Sequence, residues 1–273
     1  MAFNLVRDDH LLIERIAKSE DRIIEAGAEV IQLDVGRVVR QPAFPHVFDI
    51  NLVRHPRLDW GNLDQALMRL EAPLREVGAQ HLQLSAEQGA LSEVLAVELR
   101  RRGFYRDRLL AMVLSGELLR ESVASIEIRA VPTDAPFGWF ADLIDQMNRE
   151  EPWYTPALSR EIIGSLELKL YEGVVVPHIA ITRGRPVGAA GLAVGAWGGA
   201  SGVGAITTVG TSPEARRQGV AQTLVLTLAE KARAAGCDLI YLVARADDTP
   251  KDMYRKFGFH PATAIDIWLR PPI

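Results

Sequence analysis

One order of elements occurs twice along the chain, and it constrains the fold more than any other feature of the sequence. In both copies a helical pattern ends at a glycine, a strand and a second helical pattern follow, and a Gly-Phe pair leads into a last strand. Gly78 aligns with Gly236, and Gly103-Phe104 aligns with Gly258-Phe259 when the first copy is allowed three extra residues. Units of helix, glycine and strand are similar in many α/β proteins, but this longer order favours an internal duplication.

The length and composition agree with two domains of ordinary size. The chain has 273 residues, of which 48% are hydrophobic and 24% charged, values typical of soluble globular proteins. Helical and strand patterns alternate throughout, so we predict an α/β (α+β) fold. The duplication predicts a first domain at residues 1–118 and a second domain at residues 125–273, joined around residues 116–124.

Charge and cysteine content exclude several classes of function. The formal net charge is -4, and a protein that coats nucleic acid needs a basic field, so we expect no nucleic-acid partner. The single cysteine, Cys237, cannot by itself form an internal disulfide or a zinc site, so we expect no metal. One cysteine is typical of a reducing compartment, and the N-terminal residues lack the pattern of a signal peptide, which together predict a cytoplasmic protein.

The stretch Pro186–Gly210 contains no charged residue and is long enough to cross a bilayer. It is dense in glycine, and the sequence from Trp197 to Ser201 is typical of a turn between two strands. These signals favour a buried β-hairpin over a transmembrane helix, and we expect no membrane partner.

The segment Val209–Ala221 carries the clearest chemical signal. A strand ends, a short loop contains Arg216 and Arg217, and a helix begins near Gly219. The free N–H groups and the dipole at a helix N-terminus favour an anion, and glycine lets the backbone approach it closely. A solvated pair of arginines is the alternative, but cations at a helix start oppose the dipole. The arrangement suits a diphosphate, although the segment is neither a P-loop nor a dinucleotide fingerprint.

Two ordered motifs resemble the GNAT superfamily of N-acetyltransferases. Arg216–Ala221 matches the Arg/Gln-x-x-Gly-x-Gly/Ala loop that binds the pyrophosphate of acyl-CoA in that family. Asp247–Phe259 resembles the family's closing helix and its Tyr-x-x-x-Gly-Phe signature. The resemblance covers residues 125–273 well and the first half weakly. It implies a GNAT fold with a mixed central sheet flanked by helices, two tandem GNAT-like domains, and acetyl-CoA as co-substrate.

The resemblance also implies roles for individual residues. The main chain of residues 209–211 would pair with the pantetheine arm, and the amides from Arg217 to Ala221 would hold the pyrophosphate. Tyr254 would protonate the leaving CoA thiolate, with packing of an aromatic side chain into the core as the alternative. Asp247 stands where the family often has asparagine. The residues predicted to bind the cofactor are Val209, Gly210, Thr211, Arg216, Arg217, Gln218, Gly219, Val220, Ala221 and Asp247.

The family's general base is missing from its usual strand. Many members carry a glutamate there, where this chain has Thr207-Thr208. An amine with a pKa of about 10 must lose a proton before it attacks a thioester. Candidates for the proton acceptor are Glu150, Glu151 and His178, of which we favour Glu151, and a chain of water molecules to bulk solvent is an alternative.

Aromatic residues are predicted to line the acceptor site. Trp153 and Tyr154 lie in a proline-containing loop between two predicted helices, and Trp197 lies in the predicted turn. Such side chains can pack an apolar substrate or cover a cation, and they can equally close one end of the core. We expect a small-molecule or peptide amine as acceptor, and a monomer or homodimer.

The first half has lost the equivalent site. At the aligned positions Arg216, Arg217, Gln218 and Gly219 become Leu58, Asp59, Trp60 and Gly61, and the tyrosine becomes Leu99. An acidic residue and a tryptophan cannot replace a cationic phosphate loop. This half is therefore predicted to be non-catalytic, and it would shape the acceptor pocket or substitute for a dimer partner.

The leading functional hypothesis is an N-acetyltransferase that moves an acetyl group from acetyl-CoA to a primary amine by direct attack. By the resemblance, main-chain N–H groups near Val209 would stabilise the oxyanion of the intermediate. The missing base favours an alternative, a non-catalytic acyl-CoA-binding sensor or interaction module. Transfer to another nucleophile, such as a hydroxyl or an aminoglycoside-type amine, is a weaker alternative suggested by the acidic pair Glu150 and Glu151.

Overall fold

Helices and strands alternate along both halves of the chain. The computed structural model describes residues 10–194 and 202–272. The first half contains α1 (His10–Glu25), β1 (Glu29–Leu33), β2 (Gly36–Arg40), β3 (Leu52–Arg54), α2 (Leu63–Glu76), β4 (Leu82–Glu87), α3 (Glu93–Arg101) and β5 (Tyr105–Leu114). The second half contains β6 (Glu127–Ala130), α4 (Phe137–Asn148), α5 (Pro156–Tyr171), β7 (Val176–Thr182), β8 (Arg185–Val194), β9 (Val203–Thr211), α6 (Val220–Ala234), β10 (Leu239–Arg245), α7 (Pro250–Phe257) and β11 (Phe259–Arg270). The predicted α/β fold, a mixed central sheet flanked by helices, is confirmed.

The described strands form one sheet, in which each half contributes its last strand to the other half. The order of the strands is β1-β2-β3-β4-β11-β5-β10-β9-β8-β7-β6. Strand β11 lies between β4 and β5, and β5 lies between β11 and β10. The three pairs β4–β11, β11–β5 and β5–β10 are all antiparallel, so β4 and β10 run in opposite directions. The predicted boundary between residues 118 and 125 falls in the segment between β5 and β6, and the division into two domains stays a prediction.

The exchanged strands bury large side chains in the core of the other half. Trp268 on β11 is 1% exposed and belongs to a cluster with Leu70 and Leu99 of the first half. Met112 on β5 belongs to a cluster with Leu226 on α6 of the second half. Burial of such side chains contributes about 1.5–3 kcal/mol each, so the exchange is a main source of stability for both cores.

Helix α1 of the first half packs on the sheet of the second half. Ile16 and Ile23 on this helix belong to one cluster with Ala205 and Tyr241. The hydroxyl of Tyr241 donates a hydrogen bond of 2.8 Å to Glu20 Oε1 on the same helix. Alternate residues of β10 belong to a different cluster with α6 and α7. Because side chains alternate along a strand, α1 and the pair α6 and α7 cover opposite faces.

The described part of the glycine-rich stretch forms two antiparallel strands rather than a helix, as predicted. Strands β8 and β9 are antiparallel over most of their lengths. Within residues 10–194 and 202–272, no helix is long and apolar enough to cross a membrane. The predicted turn from Trp197 to Ser201 lies outside the described residues, and so does the predicted role of Trp197 in the acceptor site.

One predicted strand is wrong at its start. The apolar pattern predicts a strand over residues 47–53, but Phe48–Ile50 form a 3-10 turn, and only the short β3 follows. The side-chain amide of Asn51 donates hydrogen bonds of 2.8 and 2.9 Å to the carbonyl oxygens of Phe44 and Val47. These bonds give the backbone partners outside the sheet and favour the turn.

Candidate active site

Strands β9 and β10 pair at their start and then separate, and the gap between them is the centre of the site. The parallel pairing runs from Val203 opposite Leu239 to Ile206 opposite Leu242 and ends there. Beyond this point the backbone of residues 207–211 has no partner in β10. Backbone amides and carbonyls that have lost their strand partner can pair with an extended, amide-containing ligand.

A β-bulge in β9 lies at the same point. Ala189 pairs with Gly210 and Gly191 pairs with Thr207, so β9 carries one extra residue opposite β8. Thr208 has a φ of +52°, a backbone conformation that residues other than glycine adopt at a cost of about 1 kcal/mol or more. The bulge directs the main chain around Val209 away from β8 and towards the gap.

The loop after β9 leaves the N-terminus of α6 open. Arg217 and Gly219 have φ values of +62° and +83°, and Gly219 is the N-cap residue. No side chain caps this helix, and its first turn contains no acidic residue. The N–H groups of the first turn therefore lack intrahelical partners and can bind an anion.

Nine of the ten predicted cofactor-binding residues fall into two groups around this loop. Val209, Gly210 and Thr211 lie on the separated end of β9, and their side chains are half-buried where they have any. The loop and the first turn of α6 contain the remaining predicted residues of the site, Arg216, Arg217, Gln218, Gly219, Val220 and Ala221. The structure thus brings the strand end and the helix start together, as the sequence predicts.

The C-terminal end of α4 and the loop after it contact the loop before α6. Glu150 forms an ion pair with Arg216, and Gln146 Nε2 donates a hydrogen bond of 3.1 Å to Glu214 Oε1. A Cβ at Gly210 would overlap the sulfur of Met147, so glycine permits the close approach of α4 to β9. The ion pair thus holds Glu150, one of the candidate bases, against the loop before α6 and not in the gap between β9 and β10.

Tyr254 is a buried phenol on α7. Burial, followed by the charge of Asp248, raises the pKa of Tyr254 to about 12. Its ring packs edge-on against Phe257 with 6.4 Å between the ring centroids. Among the described residues no partner binds its hydroxyl by a hydrogen bond, so the proton stays on an oxygen that is not otherwise engaged.

Glu151, the favoured base, and two of the residues proposed to line the acceptor site lie in the loop between α4 and α5. Glu151 is exposed in the turn after α4, and Trp153 is 45% exposed. The hydroxyl of Tyr154 donates a hydrogen bond of 3.4 Å to Asp145 Oδ1. The structure thus places these three side chains in the loop that Arg216 contacts through Glu150.

Asp145 organises this corner, and the sequence patterns did not indicate it. Ser159 Oγ donates a hydrogen bond of 2.7 Å to Asp145 Oδ1, and Arg149 Nη2 donates one of 2.6 Å to Oδ2. The bond from Ser159 is the largest cause that lowers the pKa of Asp145, so the carboxylate stays ionised. The spacing of Asp145 and Arg149 by four residues was the available signal, but it is common on any exposed helix.

His178 lies in the core and not beside the gap. Its ring is 3% exposed, and Nδ1 lies 3.0 Å from the carbonyl oxygen of Val176. Burial, with a smaller effect of Lys231 on α6, lowers the pKa of His178 to about 4. A ring enclosed in this way is not available to take a proton from an acceptor in the gap.

Asp247 is exposed, and its neighbour Asp248 bonds the backbone just before the closing helix. Arg245 Nε donates a hydrogen bond of 3.4 Å to Asp247 Oδ1. Asp248 Oδ1 accepts a hydrogen bond of 2.6 Å from the backbone N–H of Thr249, one residue before α7. The sequence Asp-Thr-Pro is a helix-start signal, and it identifies Asp248 as the structural residue at this position.

Comparison with known proteins agrees with this geometry. Residues 134–259 match the family model described as the acetyltransferase (GNAT) family. These residues belong to the GNAT family. The matched segment contains both the loop before α6 and Tyr254, so the predicted resemblance is confirmed. No curated protein matches the chain.

Solved structures extend the likeness of the GNAT fold to the first half. A conserved protein of unknown function from Staphylococcus epidermidis superposes with a TM-score of 0.70 at 18% identity, over 94% of this chain and 100% of that one. A GCN5-related N-acetyltransferase from Kribbella flavida has a TM-score of 0.64 at 18% identity, over 94% and 95% of the two chains. A tandem GNAT protein from the clavulanic acid biosynthesis pathway has a TM-score of 0.57 at 13% identity, over 97% and 96%. At these identities the likeness concerns the fold alone.

The residues of the GNAT domain fit an acyl-CoA molecule. The hydroxyl of Thr211 is buried at the end of β9 and lacks a hydrogen-bond partner, which suits a ligand that passes along this strand. The open helix start can bind a phosphate, and the separated strand end can bind amides. Within the described residues no three His, Cys, Asp or Glu side chains are arranged to hold a metal ion.

In the first half a carboxylate lies in the turn that aligns with the predicted phosphate-binding loop. Asp59, which aligns with Arg217, accepts a hydrogen bond of 3.0 Å from the backbone N–H of Gly61, which aligns with Gly219. The side chain thereby caps the turn that leads into α2. Asp59 in this turn and Asp64 in the first turn of α2 place two carboxylates there, which disfavours the binding of a diphosphate.

Proposed function

We propose that the GNAT domain transfers an acetyl group from acetyl-CoA to a primary amine. The family establishes acyl transfer in general. The observation that supports the co-substrate is the uncapped start of α6, which lies at the end of a gap edged by unpaired backbone. A diphosphate at the helix start and an amide-containing arm along β9 are the chemical groups that this arrangement can bind.

The reaction follows from the groups around the gap. The nitrogen of the amine attacks the thioester carbon, and a tetrahedral intermediate with an oxyanion forms. Backbone N–H groups near Val209 would stabilise this oxyanion, because the bulge leaves them without a partner in β8. The carbon–sulfur bond then breaks, and the phenol of Tyr254 donates its proton to the leaving thiolate.

The amine must lose one proton before attack and one as the amide forms. Glu151 is our proposed acceptor for these protons, because Glu150 is paired with Arg216 and His178 is enclosed in the core. Glu151 is exposed, so water can carry the protons on to bulk solvent. Trp153, Tyr154 and Trp197 would line the side on which the amine enters.

Calorimetric titration of the full chain with acetyl-CoA tests the proposal. We expect saturable binding by the parent protein, and a dissociation constant at least about 10-fold higher for Arg216→Glu and Gly219→Asp, which place a carboxylate at the phosphate position. Arg101→Glu is the matched control, because it reverses an exposed arginine on α3 of the first half. Absence of binding by the parent, or equal binding by all four proteins, contradicts the proposal.

A non-catalytic acyl-CoA-binding sensor is the second candidate function. The observation that favours it is Thr207-Thr208 on the strand where a glutamate base is common in the family. Release of free thiol on addition of a panel of primary amines separates the two functions. Binding of acetyl-CoA without thiol release for any amine would favour the sensor.

The acceptor and the setting are proposals of the same kind. We infer a small-molecule or peptide amine, a monomer or homodimer, no need for a metal, and a cytoplasmic location. The single cysteine supports a reducing compartment. Cys237 itself is buried, and burial raises the pKa of its thiol, so it is a packing residue and not a nucleophile.

A further inference from the structure

The first half keeps a gap between its two parallel strands, although it has lost the phosphate position. Strands β3 and β4 pair only at Val53 with Leu84 and at Arg54 with Ser85. A cavity of about 510 Å³ opens where they separate. One wall is the loop after β3, with His55, Arg57 and Leu58, and the other is the end of β4 and the following turn, with Ala86, Glu87 and Ala90.

This cavity is separate from the gap between β9 and β10. Because β4 and β10 run in opposite directions, their C-terminal ends lie on opposite sides of the sheet along the strand direction. A molecule in the first-half cavity therefore lies at the end of the strands that is opposite to the proposed acetyl-transfer site. The cavity does not belong to the acceptor pocket of the GNAT domain.

A carboxylate on α1, Asp21, fixes the histidine of this cavity. His55 Nε2 lies 3.0 Å from Asp21 Oδ2 and 3.2 Å from Oδ1. Asp21 also accepts a hydrogen bond of 2.8 Å from Arg54 Nε. Burial alone would raise the pKa of Asp21, but His55 and Arg54 outweigh it and hold this pKa far below its usual value. An ionised carboxylate can only accept a hydrogen bond, so Nε2 donates to Asp21, and this bond fixes the orientation of the ring.

The other ring nitrogen of His55 lies beside a second carboxylate. Its Nδ1 lies 3.7 Å from Glu87 Oε1, a carboxylate that is half exposed. A positively charged donor, such as a primary ammonium group, can bond to this half-exposed carboxylate. His55 has a φ of +50°, so the backbone is held in an unfavourable conformation beside the cavity.

The wall opposite Glu87 carries the complementary charge. The guanidinium of Arg57 is exposed on the loop, whose backbone is fixed by a hydrogen bond of 2.9 Å from Arg57 N–H to the carbonyl oxygen of Val35. A guanidinium binds a carboxylate with two parallel hydrogen bonds. Leu58, Ala86 and Ala90 supply an apolar surface between the charged groups.

We propose that this cavity binds an α-amino acid with an aliphatic side chain. The ammonium group is held by Glu87, and the carboxylate is held by Arg57. The aliphatic side chain packs on Leu58, Ala86 and Ala90. An anionic nucleotide does not fit this set, because Glu87 and Asp59 repel it and Asp59 already accepts the hydrogen bond of the Gly61 N–H.

Calorimetric titration of the full chain with L-alanine, L-valine and L-leucine tests the proposal. Two analogues of leucine each lack one charged group: 4-methylpentanoate has no ammonium, and isopentylamine has no carboxylate. We expect saturable binding of at least one amino acid, and binding at least 10-fold weaker for the analogue that lacks either group. If none of the three amino acids binds, or if both analogues bind as well as leucine, the proposal is wrong.

Variants assign the two charges to their residues. Glu87→Gln should weaken amino-acid binding at least 10-fold and leave 4-methylpentanoate binding unchanged, whereas Arg57→Gln should leave isopentylamine binding unchanged. Glu76→Gln and Arg101→Gln are matched controls on exposed faces of α2 and α3 and should bind as the parent does. Circular dichroism shows that each variant is folded. Folded variants at Glu87 and Arg57 that bind leucine as the parent does overturn the assignment.

Discussion

Tyr254 combines a buried ring with a hydroxyl that no described residue engages. Its pKa, raised to about 12, keeps the phenol protonated at neutral pH. The same burial raises the basicity of a thiolate that leaves beside it, because a low-dielectric environment disfavours both anions. The two shifts act in the same direction, so burial does not prevent proton transfer from the phenol to the sulfur.

The substitution Tyr254→Phe removes the proton donor and keeps the ring. We expect turnover with any identified amine to fall by about 10²-fold, in the range of general acid catalysis, while acetyl-CoA binding is kept. Tyr171→Phe is the matched control, because this tyrosine is 88% exposed at the end of α5. Steady-state rates and calorimetry measure the two effects. An unchanged rate for Tyr254→Phe would exclude the residue from the mechanism.

At the residue scale the sequence predicted where the loop before α6 lies, but not the surroundings of the candidate bases. Arg216 and Gly219 could be identified because a helix start and its preceding strand are local features with a fixed spacing. The role of Glu150 could not, because its partner Arg216 is distant in the chain and only the packing of α4 on β9 brings them together. The enclosed position of His178 likewise depends on α6, which no local pattern reveals.

The loop between α4 and α5 is the element that distinguishes two neighbouring carboxylates. Glu150 is paired with an arginine that we assign to the phosphate site, and Glu151 is not. An ion pair between half-exposed groups is weak, with a typical strength of 0–1 kcal/mol. A diphosphate can therefore displace Glu150 from Arg216 when it binds.

The variants Glu150→Gln and Glu151→Gln should affect different steps. Glu150→Gln removes a competitor for Arg216, so we expect acetyl-CoA to bind about 2- to 5-fold more tightly, in proportion to a weak exposed pair. Glu151→Gln should leave binding unchanged and lower the turnover of amines. Calorimetry and thiol-release rates on the same two proteins measure both effects. Tighter binding by both variants, or by neither, would contradict the assignment of Glu150.

At the element scale the helices were easier to predict than the strands of the first half. Gly78 and Gly236 end α2 and α6 with φ values of +91° and +82°, so a single residue type marked each end. Strand β1 has no uniform apolar face, since its residues are mostly exposed at the edge of the sheet, and its pattern gave no signal. The 3-10 turn before β3 depends on the hydrogen bonds of Asn51, which composition does not reveal.

At the scale of the whole molecule, Asp266 joins the two halves across the centre of the sheet. It lies on β11, is 5% exposed, and accepts hydrogen bonds of 2.8 Å from Arg108 Nε and 2.6 Å from Arg106 Nη2 on β5. Burial alone would raise the pKa of Asp266, but the two guanidiniums outweigh it and lower this pKa. The two ion pairs of Asp266 thus stabilise the contact between β5 and β11 when Asp266 is ionised.

We expect Asp266→Asn to lower the free energy of unfolding at pH 7 by about 1–3 kcal/mol, because two arginines lose a buried carboxylate. A lowered pKa contributes stability above the unfolded pKa of about 3.9, and this stability is lost as the pH falls through the folded value. The difference between variant and parent should therefore shrink below about pH 4 in urea titrations. Asp64→Asn is the control, since Asp64 forms an exposed pair with Arg102, and its effect should be close to zero at both pH values. A difference for Asp266→Asn that does not depend on pH would contradict the role of its charge.

The exchange of β5 and β11 was beyond the reach of the sequence. Both strands follow a Gly-Phe pair, and the repeat predicts that each half ends in a strand. A periodic pattern shows that a strand is apolar but not which neighbour it pairs with, and the two candidates in this chain are related by the duplication itself. The pairing appears only when the whole sheet is assembled.

The exchanged strands also determine what happens when the covalent connection is cut. The chain passes from one half to the other only between Leu114 and Glu127, whereas backbone hydrogen bonds link the halves along β4–β11, β11–β5 and β5–β10. A protease that cleaves this connection leaves two fragments, and each fragment still contributes one strand, β5 or β11, to the sheet of the other. Neither fragment can complete its core alone, so the two must fold together as a heterodimer, and losing either one exposes an open sheet edge prone to aggregation.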